Sequence, residues 1–333
     1  MSAIPTSTRV IEVSQPGGPE VLKLSIRPLA PLQAGEILIK VAAAGVNGHD
    51  AHHRIVGTHP TNPGETDVPG LEVAGTVVAR GSAVTEWQIG QEVCALVRGG
   101  GYADYCIADA ALTLPVPRGQ TMVQAASLPE TYATVWSNIY TDGALKPGGS
   151  LLIQGGASGI GVSAIQLAKN LGHRVFATAG NADKCKVCVD LGAERAINYR
   201  EEDFVAVVKE ATGGKGVDCV FDIVAGDYIP REIDALALDG WIVIISTTRG
   251  AKVEINFADV MRKRARIMGT MLRPRTLAYK AGVIAALRAT VWPLVESGKI
   301  KPVVDSTFPL AEAAAAHARL DASQHTGKII LTP

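Results

Sequence analysis

The sequence predicts an α/β protein: a doubly wound parallel sheet joined to a second, β-rich and barrel-like domain. Three observations predict it. From residue 150 onward, apolar strand-like runs alternate with helix-like runs, the pattern of a parallel sheet covered on both faces. A glycine-rich turn, QGGASGIG, joins the first of these strands to the first helix. The first third of the chain instead shows short Val/Ile/Leu-rich runs punctuated by Gly and Pro, the texture of a small β domain.

The 333 residues suffice for two domains, each with its own core. VLKLSIRPL, GEILIKVAAAGV, EVAGTVVARG and EVCALV read as strands, and GGGYADYCIA and LTLPVP continue the style. The β-rich domain is therefore expected over residues 1–127. In QTMVQAASLPETYATVWSNIYTDGAL the apolar residues recur at helical spacing. SLLIQG, HRVFATA, RAINY, VDCVFDIV and GWIVIIST then read as strands. GIGVSAIQLAKNLG, NADKCKVCVDLGA, FVAVVKEATG and YIPREIDALAL read as the helices between them. This second domain is expected over 128–305. The tail ends in KIILTP, a strand with no helix after it, so residues 306–333 are expected to rejoin the first domain.

Lys+Arg and Asp+Glu balance at 32 each, which leaves no electrostatic footprint for nucleic acid or an anionic membrane. No apolar run is long enough to span a bilayer, and MSAIPTSTRVIEV lacks the apolar centre of a secretory signal. The five cysteines are odd in number and scattered, as suits a reducing, cytoplasmic setting. Cys185 and Cys188 form a C-x-x-C inside an expected helix, with no second pair of ligands beside it, and read as two small helix residues.

The strongest signal is SLLIQGGASGIGVSAIQLA. A buried strand runs into Gly155, Gly156, Gly159 and Gly161, and a helix follows at once. Such glycines permit a tight turn, close approach of a pyrophosphate and close helix–strand packing, and the helix N-terminus offers free N–H groups to the anion. An NAD site usually carries Asp or Glu at the end of the second strand, to hold the ribose hydroxyls. Here that tip is Thr178, Ala179, Gly180 and Asn181. Lys184 follows it, and Tyr199 and Arg200 end the next strand. A small uncharged tip with cations nearby predicts NADP(H), although Asp183 is close by at the start of the next helix.

GVNGHDAHHRIVGTHP holds four of the seven histidines. His49, His52 and His53 stand at helical spacing around Asp50, which raises the question of a metal.

At the level of motifs the chain resembles the medium-chain dehydrogenase/reductase superfamily. The resemblance rests on PGGPEVL, AAAGVNGHD, PGLEVAGTV, GGGYADY, AASLPETYATVW, the glycine loop, LGAERAINYREEDF, FDIVAG, LDGWIVI and GKIIL, in that order along the chain. It implies a Rossmann domain between two parts of a GroES-like catalytic domain. Zinc-dependent members place Cys, His and Cys where this chain has Asn47, Leu71 and Glu130, and the cysteine cluster of their structural zinc is absent after EVCALV. The resemblance therefore implies a zinc-free member with no metal site, in the quinone oxidoreductase (zeta-crystallin-like) branch, with the histidines as polar turn residues and Asp50 in a structural role.

Carried over by position, Asn47 is expected beside the nicotinamide and Thr134 near it. Gly156, Ser158, Gly159 and Ile160 are expected along the pyrophosphate. Gly180, Lys184 and Tyr199 are expected around the 2′-phosphate. Met271 to Arg273, with Leu272 at the centre, should pass the nicotinamide, and Lys328 should close the site. Thr58 falls near the place where relatives often carry a substrate-facing tyrosine. The implied activity is hydride transfer from NADPH to a quinone or similar conjugated carbonyl. Asn47 and Thr134 are the expected catalytic hydrogen-bond donors to the developing oxyanion; the other reading of Asn47 is a turn residue that holds its own backbone. Two further readings stay open, an NADPH-dependent enoyl or 2-alkenal reductase and a non-catalytic NADPH-binding sensor or structural protein. A homodimer through the Rossmann sheet edge, near RARIMGTMLR, is also implied.

Overall fold

A computed structural model describes residues 5–57 and 66–333; Thr58 and His59 lie outside them. Along the chain, β1 (Ser7–Val13) and β2 (Leu22–Pro28) form an antiparallel pair. β3 (Glu36–Gly45) turns into α1 (Gly48–Val56), and β4 (Glu72–Arg80), β5 (Glu92–Leu96), β6 (Tyr105–Asp109) and β7 (Thr113–Pro115) follow. The helical stretch then breaks in two, α2 (Met122–Ala125) and α3 (Pro129–Val135), because Pro129 favours a helix start over a helix interior. α3 widens into a π-helical turn at Trp136–Thr141.

Strand and helix alternate after this. They are β8 (Ser150–Ile153), α4 (Gly159–Asn170), β9 (Arg174–Ala179), α5 (Ala182–Asp190), β10 (Arg195–Asn198), α6 (Phe204–Ala211), β11 (Val217–Asp222), α7 (Tyr228–Ala235), β12 (Leu236–Ile244), α8 (Phe257–Lys263) and β13 (Arg266–Gly269). The chain ends with α9 (Leu277–Glu296), β14 (Val304–Pro309), α10 (Ala313–Asp321) and β15 (Lys328–Thr332).

The chain divides into two units, Met1–Ala133 with Arg273–Pro333, and Thr134–Leu272. In the first, the sheet runs β14-β15-β3-β4-β5-β7, and β6 also pairs with β3. Register shifts along the β3–β4 ladder bend it. Ile37, Ile39, Val73, Val77, Val93, Ile329 and Leu331 fill the space inside.

In the second unit six parallel strands run β10-β9-β8-β11-β12-β13. The chain starts at β8, winds out to β10, then returns to the other side of β8 at β11. Open sheets of this order bind ligands where the direction reverses, outside the carboxyl ends of the two central strands. Leu152, Phe176, Val220 and Ile242 are buried, which explains the unbroken apolar runs of these strands.

Two expectations differ from the structure. The return to the β-rich unit comes at Arg273, not at residue 306, and the first crossing falls between Ala133 and Thr134 rather than after residue 127. The reason is α9. Its Trp292 Nε1 donates to the Pro115 carbonyl at 2.7 Å, and Glu296 accepts from the Arg118 backbone N–H at 3.2 Å. The helix over YIPREIDALAL also stops at Ala235. Leu236 already pairs with Val217, and the ladder shifts register before Cys219 meets Trp241, around Asp239 at φ 63°. Among the described residues no helix is long and apolar enough to cross a membrane.

Candidate functional site

In the second unit the site is built on the turn from β8 into α4. Gly155 has φ 73°, a conformation that glycine adopts without strain. A Cβ on Gly156 would lie 2.7 Å from the Ala177 Cβ, and one on Gly161 would lie 2.4 Å from the Gly155 carbonyl oxygen. The helix thus starts hard against its own loop. Ser158 Oγ accepts from the Gly161 N–H at 3.0 Å and caps the helix. The N–H groups of Gly159 and Ile160, in the first turn, point along the helix axis where a phosphate gains from both hydrogen bonds and dipole.

At the end of β9 the tip carries no carboxylate. A Cβ on Gly180 would lie 2.8 Å from the Tyr199 hydroxyl, so the half-exposed Tyr199 ring closes over this glycine. Asn181 caps α5 by accepting from the Lys184 N–H at 2.9 Å. Asp183 lies exposed in the first turn of α5, where a carboxylate complements the helix dipole. The cradle fits a dinucleotide, and its uncharged tip fits a 2′-phosphate.

In the first unit a closed polar cluster forms where β3, β4 and β15 meet. Lys328 and Glu72 are 4% and 0% exposed and pair at 2.7 Å. The Lys328 ammonium also donates to the Val46 carbonyl at 2.8 Å and to Asn47 Oδ1 at 2.6 Å. Asn47 Nδ2 donates to Glu72 Oε1 at 3.2 Å and to the Gly45 carbonyl at 3.3 Å. The second Glu72 oxygen accepts from the Glu130 backbone N–H at 2.9 Å. An ammonium only donates and a carboxylate only accepts, so the orientation of the Asn47 amide is unambiguous. Both of its amide hydrogens are engaged, and donation to an oxyanion requires it to release one of them.

Asp50 anchors the same turn. It accepts from the Asn47 N–H at 2.9 Å, the Gly70 N–H at 2.9 Å and the Tyr102 hydroxyl at 3.2 Å, and that hydroxyl also meets His317 Nε2 at 3.0 Å. Burial raises the Asp50 carboxyl and the Tyr102 phenol above their ordinary pKa ranges. Burial, with help from Arg54, pushes His317 down to about 3, so it stays neutral.

The histidines do not converge. His49 accepts from the Arg273 guanidinium at 2.7 Å, and His53 is buried and lowered in pKa by that burial, while His52 is exposed. Among the described residues no group of three or more His, Cys, Asp or Glu side chains is placed to hold a metal ion.

The structure thus brings Asn47 and Lys328 into contact. It gathers Gly156, Ser158, Gly159 and Ile160 in one loop and sets Gly180 against Tyr199. Thr134 and Leu272 are both buried, at the two ends of the second unit; the Thr134 carbonyl accepts from Asn138 Nδ2 at 2.7 Å. Sequence reasoning missed Glu72 as a site residue. Its signal was there: a carboxylate inside the apolar run LEVAGTVVA, which needs a buried partner.

A glycine turn at the reversal point of a six-stranded parallel sheet, with a separate β-rich unit, defines a dinucleotide-binding oxidoreductase. Comparison with known proteins makes this specific. Residues 33–118 match the family described as an alcohol dehydrogenase GroES-like domain, and residues 159–287 match that described as a zinc-binding dehydrogenase. The chain is 32% identical to the quinone oxidoreductase of Rattus norvegicus over 97% of both chains. It is 30% identical to the 2-haloacrylate reductase of a Burkholderia species, over 96% of this chain and 98% of that one. Its fold superposes on Escherichia coli quinone oxidoreductase, solved in complex with NADPH, with a TM-score of 0.86, 30% identity, and coverage of 98% of this chain and all of the other. The chain belongs to the medium-chain dehydrogenase/reductase superfamily, in its quinone oxidoreductase branch.

Proposed function

We propose that this oxidoreductase uses NADPH to reduce a quinone or similar conjugated carbonyl without catalytic zinc. The observation that carries the cofactor is the glycine turn with a carboxylate-free β9 tip closed by Tyr199. The NADPH complex of the E. coli relative supports it. When bound, the dihydronicotinamide supplies the hydride. Gly156 lets the pyrophosphate approach, and the first-turn amides of Gly159 and Ile160, with Ser158 at the helix cap, hold it. Gly180, Lys184 and Tyr199 receive the 2′-phosphate. Leu272 offers an apolar surface to the nicotinamide. Asn47 and Thr134 provide polar contacts to the reacting groups, and Lys328 fixes the Asn47 amide through its 2.6 Å bond.

The quinone reading rests on the names of the relatives. The 2-haloacrylate reductase favours a second reading, reduction of an activated C=C bond. One screen decides between them: NADPH oxidation with 9,10-phenanthrenequinone and 1,4-benzoquinone against crotonyl and 2-alkenal compounds. Quinones are expected to turn over fastest. NADPH is expected to bind about tenfold or more tightly than NADH, since the 2′-phosphate adds charge-assisted hydrogen bonds. Faster enone turnover selects the second reading. Binding of NADPH with no oxidation across the panel selects a sensor or structural protein, and equal or tighter NADH binding overturns the cofactor assignment.

Leu71 has no donor atom and Asn47 is committed to Lys328 and Glu72, which leaves too few ligands for tetrahedral zinc. The second unit ends its sheet at β13, where Ile267 is partly exposed and Phe257, Met261 and Met271 are exposed nearby, which supports a homodimer through that edge. Five free thiols support a cytoplasmic location. Native mass spectrometry of untagged protein is expected to find two 34.8 kDa chains without zinc. A monomer overturns the first point, and stoichiometric zinc whose removal abolishes activity overturns the second.

A further inference from the structure

One buried carboxyl in the second unit has no place in the chemistry above. Glu232 lies on α7 between Ile229 and Ile233, in the apolar core under the sheet, and is 0% exposed. Core packing there calls for an apolar side chain, and an acid with an unmatched oxygen is costly. Its Oε2 is buried with no partner among the described residues. Its Oε1 accepts from Gln154 Nε2 at 3.0 Å. Gln154 Oε1 accepts from the Thr178 hydroxyl at 2.8 Å, and Thr178 Oγ1 accepts from the Gly155 N–H at 3.2 Å. The Thr178 carbonyl accepts from the next loop amide, Gly156 N–H, at 2.7 Å. A continuous polar chain therefore runs from α7 through the ends of β8 and β9 to the backbone of the glycine turn. Burial, and then the neighbouring Asp222, raise the Glu232 carboxyl well above the usual carboxylate range.

We propose that Glu232 is a positioning residue for the dinucleotide turn, acting through Gln154 and Thr178 on the backbone of Gly155. Gln154 holds the Thr178 hydroxyl in one orientation, and Glu232 holds Gln154. The inference rests on the reading that this turn binds NADPH. It predicts a split between binding and turnover that a merely structural acid would not produce.

Three variants test it: Glu232→Leu, Glu232→Gln and Thr178→Val. The NADPH Kd is measured by fluorescence titration, kcat at saturating NADPH, and the thermal midpoint alongside. Glu232→Leu is expected to raise Kd about five- to tenfold, the worth of about one hydrogen bond, with kcat within about twofold of wild type. Glu232→Gln, which keeps an acceptor for Gln154, is expected to restore Kd to within about twofold. Thr178→Val, on β9 rather than α7 and close in shape, is expected to match Glu232→Leu, and the Glu232→Leu/Thr178→Val pair to be no worse than either alone. A lowered midpoint with unchanged Kd overturns the proposal, as does a Glu232→Gln protein as impaired as Glu232→Leu. Wild-type protein that bound no NADPH would overturn the functional reading and this inference together.

Discussion

Lys328→Met is expected to destabilise the protein by about 3–5 kcal/mol, read as a fall in the urea-unfolding midpoint. Lys328 and Glu72 are 4% and 0% exposed, so neither charge is shared with water. Removing the ammonium strands the Glu72 carboxylate in the core with only the Asn47 amide and the Glu130 N–H to answer it. It also takes a donor from the Val46 carbonyl and Asn47 Oδ1. The cost comes from the stranded charge rather than from the strength of the pair, and this has a second consequence. The double variant Glu72→Gln/Lys328→Met should lose less than the sum of its parts, because it removes both charges together. Added salt should barely alter either value, since buried charges are poorly screened. A loss below about 1 kcal/mol for Lys328→Met, the range of an exposed pair, would show that water reaches Glu72.

Gly161→Ala should cost the most at the nucleotide turn. The added methyl would stand 2.4 Å from the Gly155 carbonyl oxygen and 2.5 Å from the Gly156 carbonyl carbon, both of them backbone atoms without rotamers to yield. Either α4 slides along its axis or the loop opens. Overpacking of this kind costs about 1–3 kcal/mol, and the first-turn amides shift with the helix. Affinity for NADPH is then expected to fall about ten- to hundredfold at 1.4 kcal/mol per factor of ten. Titration checks this directly. Wild-type affinity in the variant would mean that the turn relaxes without moving its amides.

The nucleotide turn was legible in the sequence because its signals are local. Strand, glycines and helix fall within about twenty residues, and each glycine answers a constraint made by its near neighbours. The alternation from β8 to β13 was legible for the same reason. The cluster in the first unit was not. Asn47 and Lys328 meet across 281 residues of chain, and nothing near either one names the other. Resemblance placed both at the site, but not the carboxylate between them. Glu72 announced itself only as a charge in an apolar strand. The histidine spacing was visible, whereas the Arg273 partner of His49 comes from 224 residues away. The late boundary was misplaced because α9 looks like one more helix of the alternating series, and its attachment to Pro115 and Arg118 leaves no local trace.

The ammonium of Lys328 gives the turn after β3 a positive charge of a particular kind. It sits beside three oxygens, from Val46, Asn47 and Glu72, as a bound cation would. Unlike such an ion it is tethered by a covalent stem to the last strand of the chain. It cannot be stripped by a chelator, exchanged for a competing ion or diluted away during purification. It also enters the core together with β15, so the Glu72 carboxylate gains its countercharge only when the two ends of the first unit have come together. The electrostatics of this turn thus report on complete folding rather than on the supply of any ion.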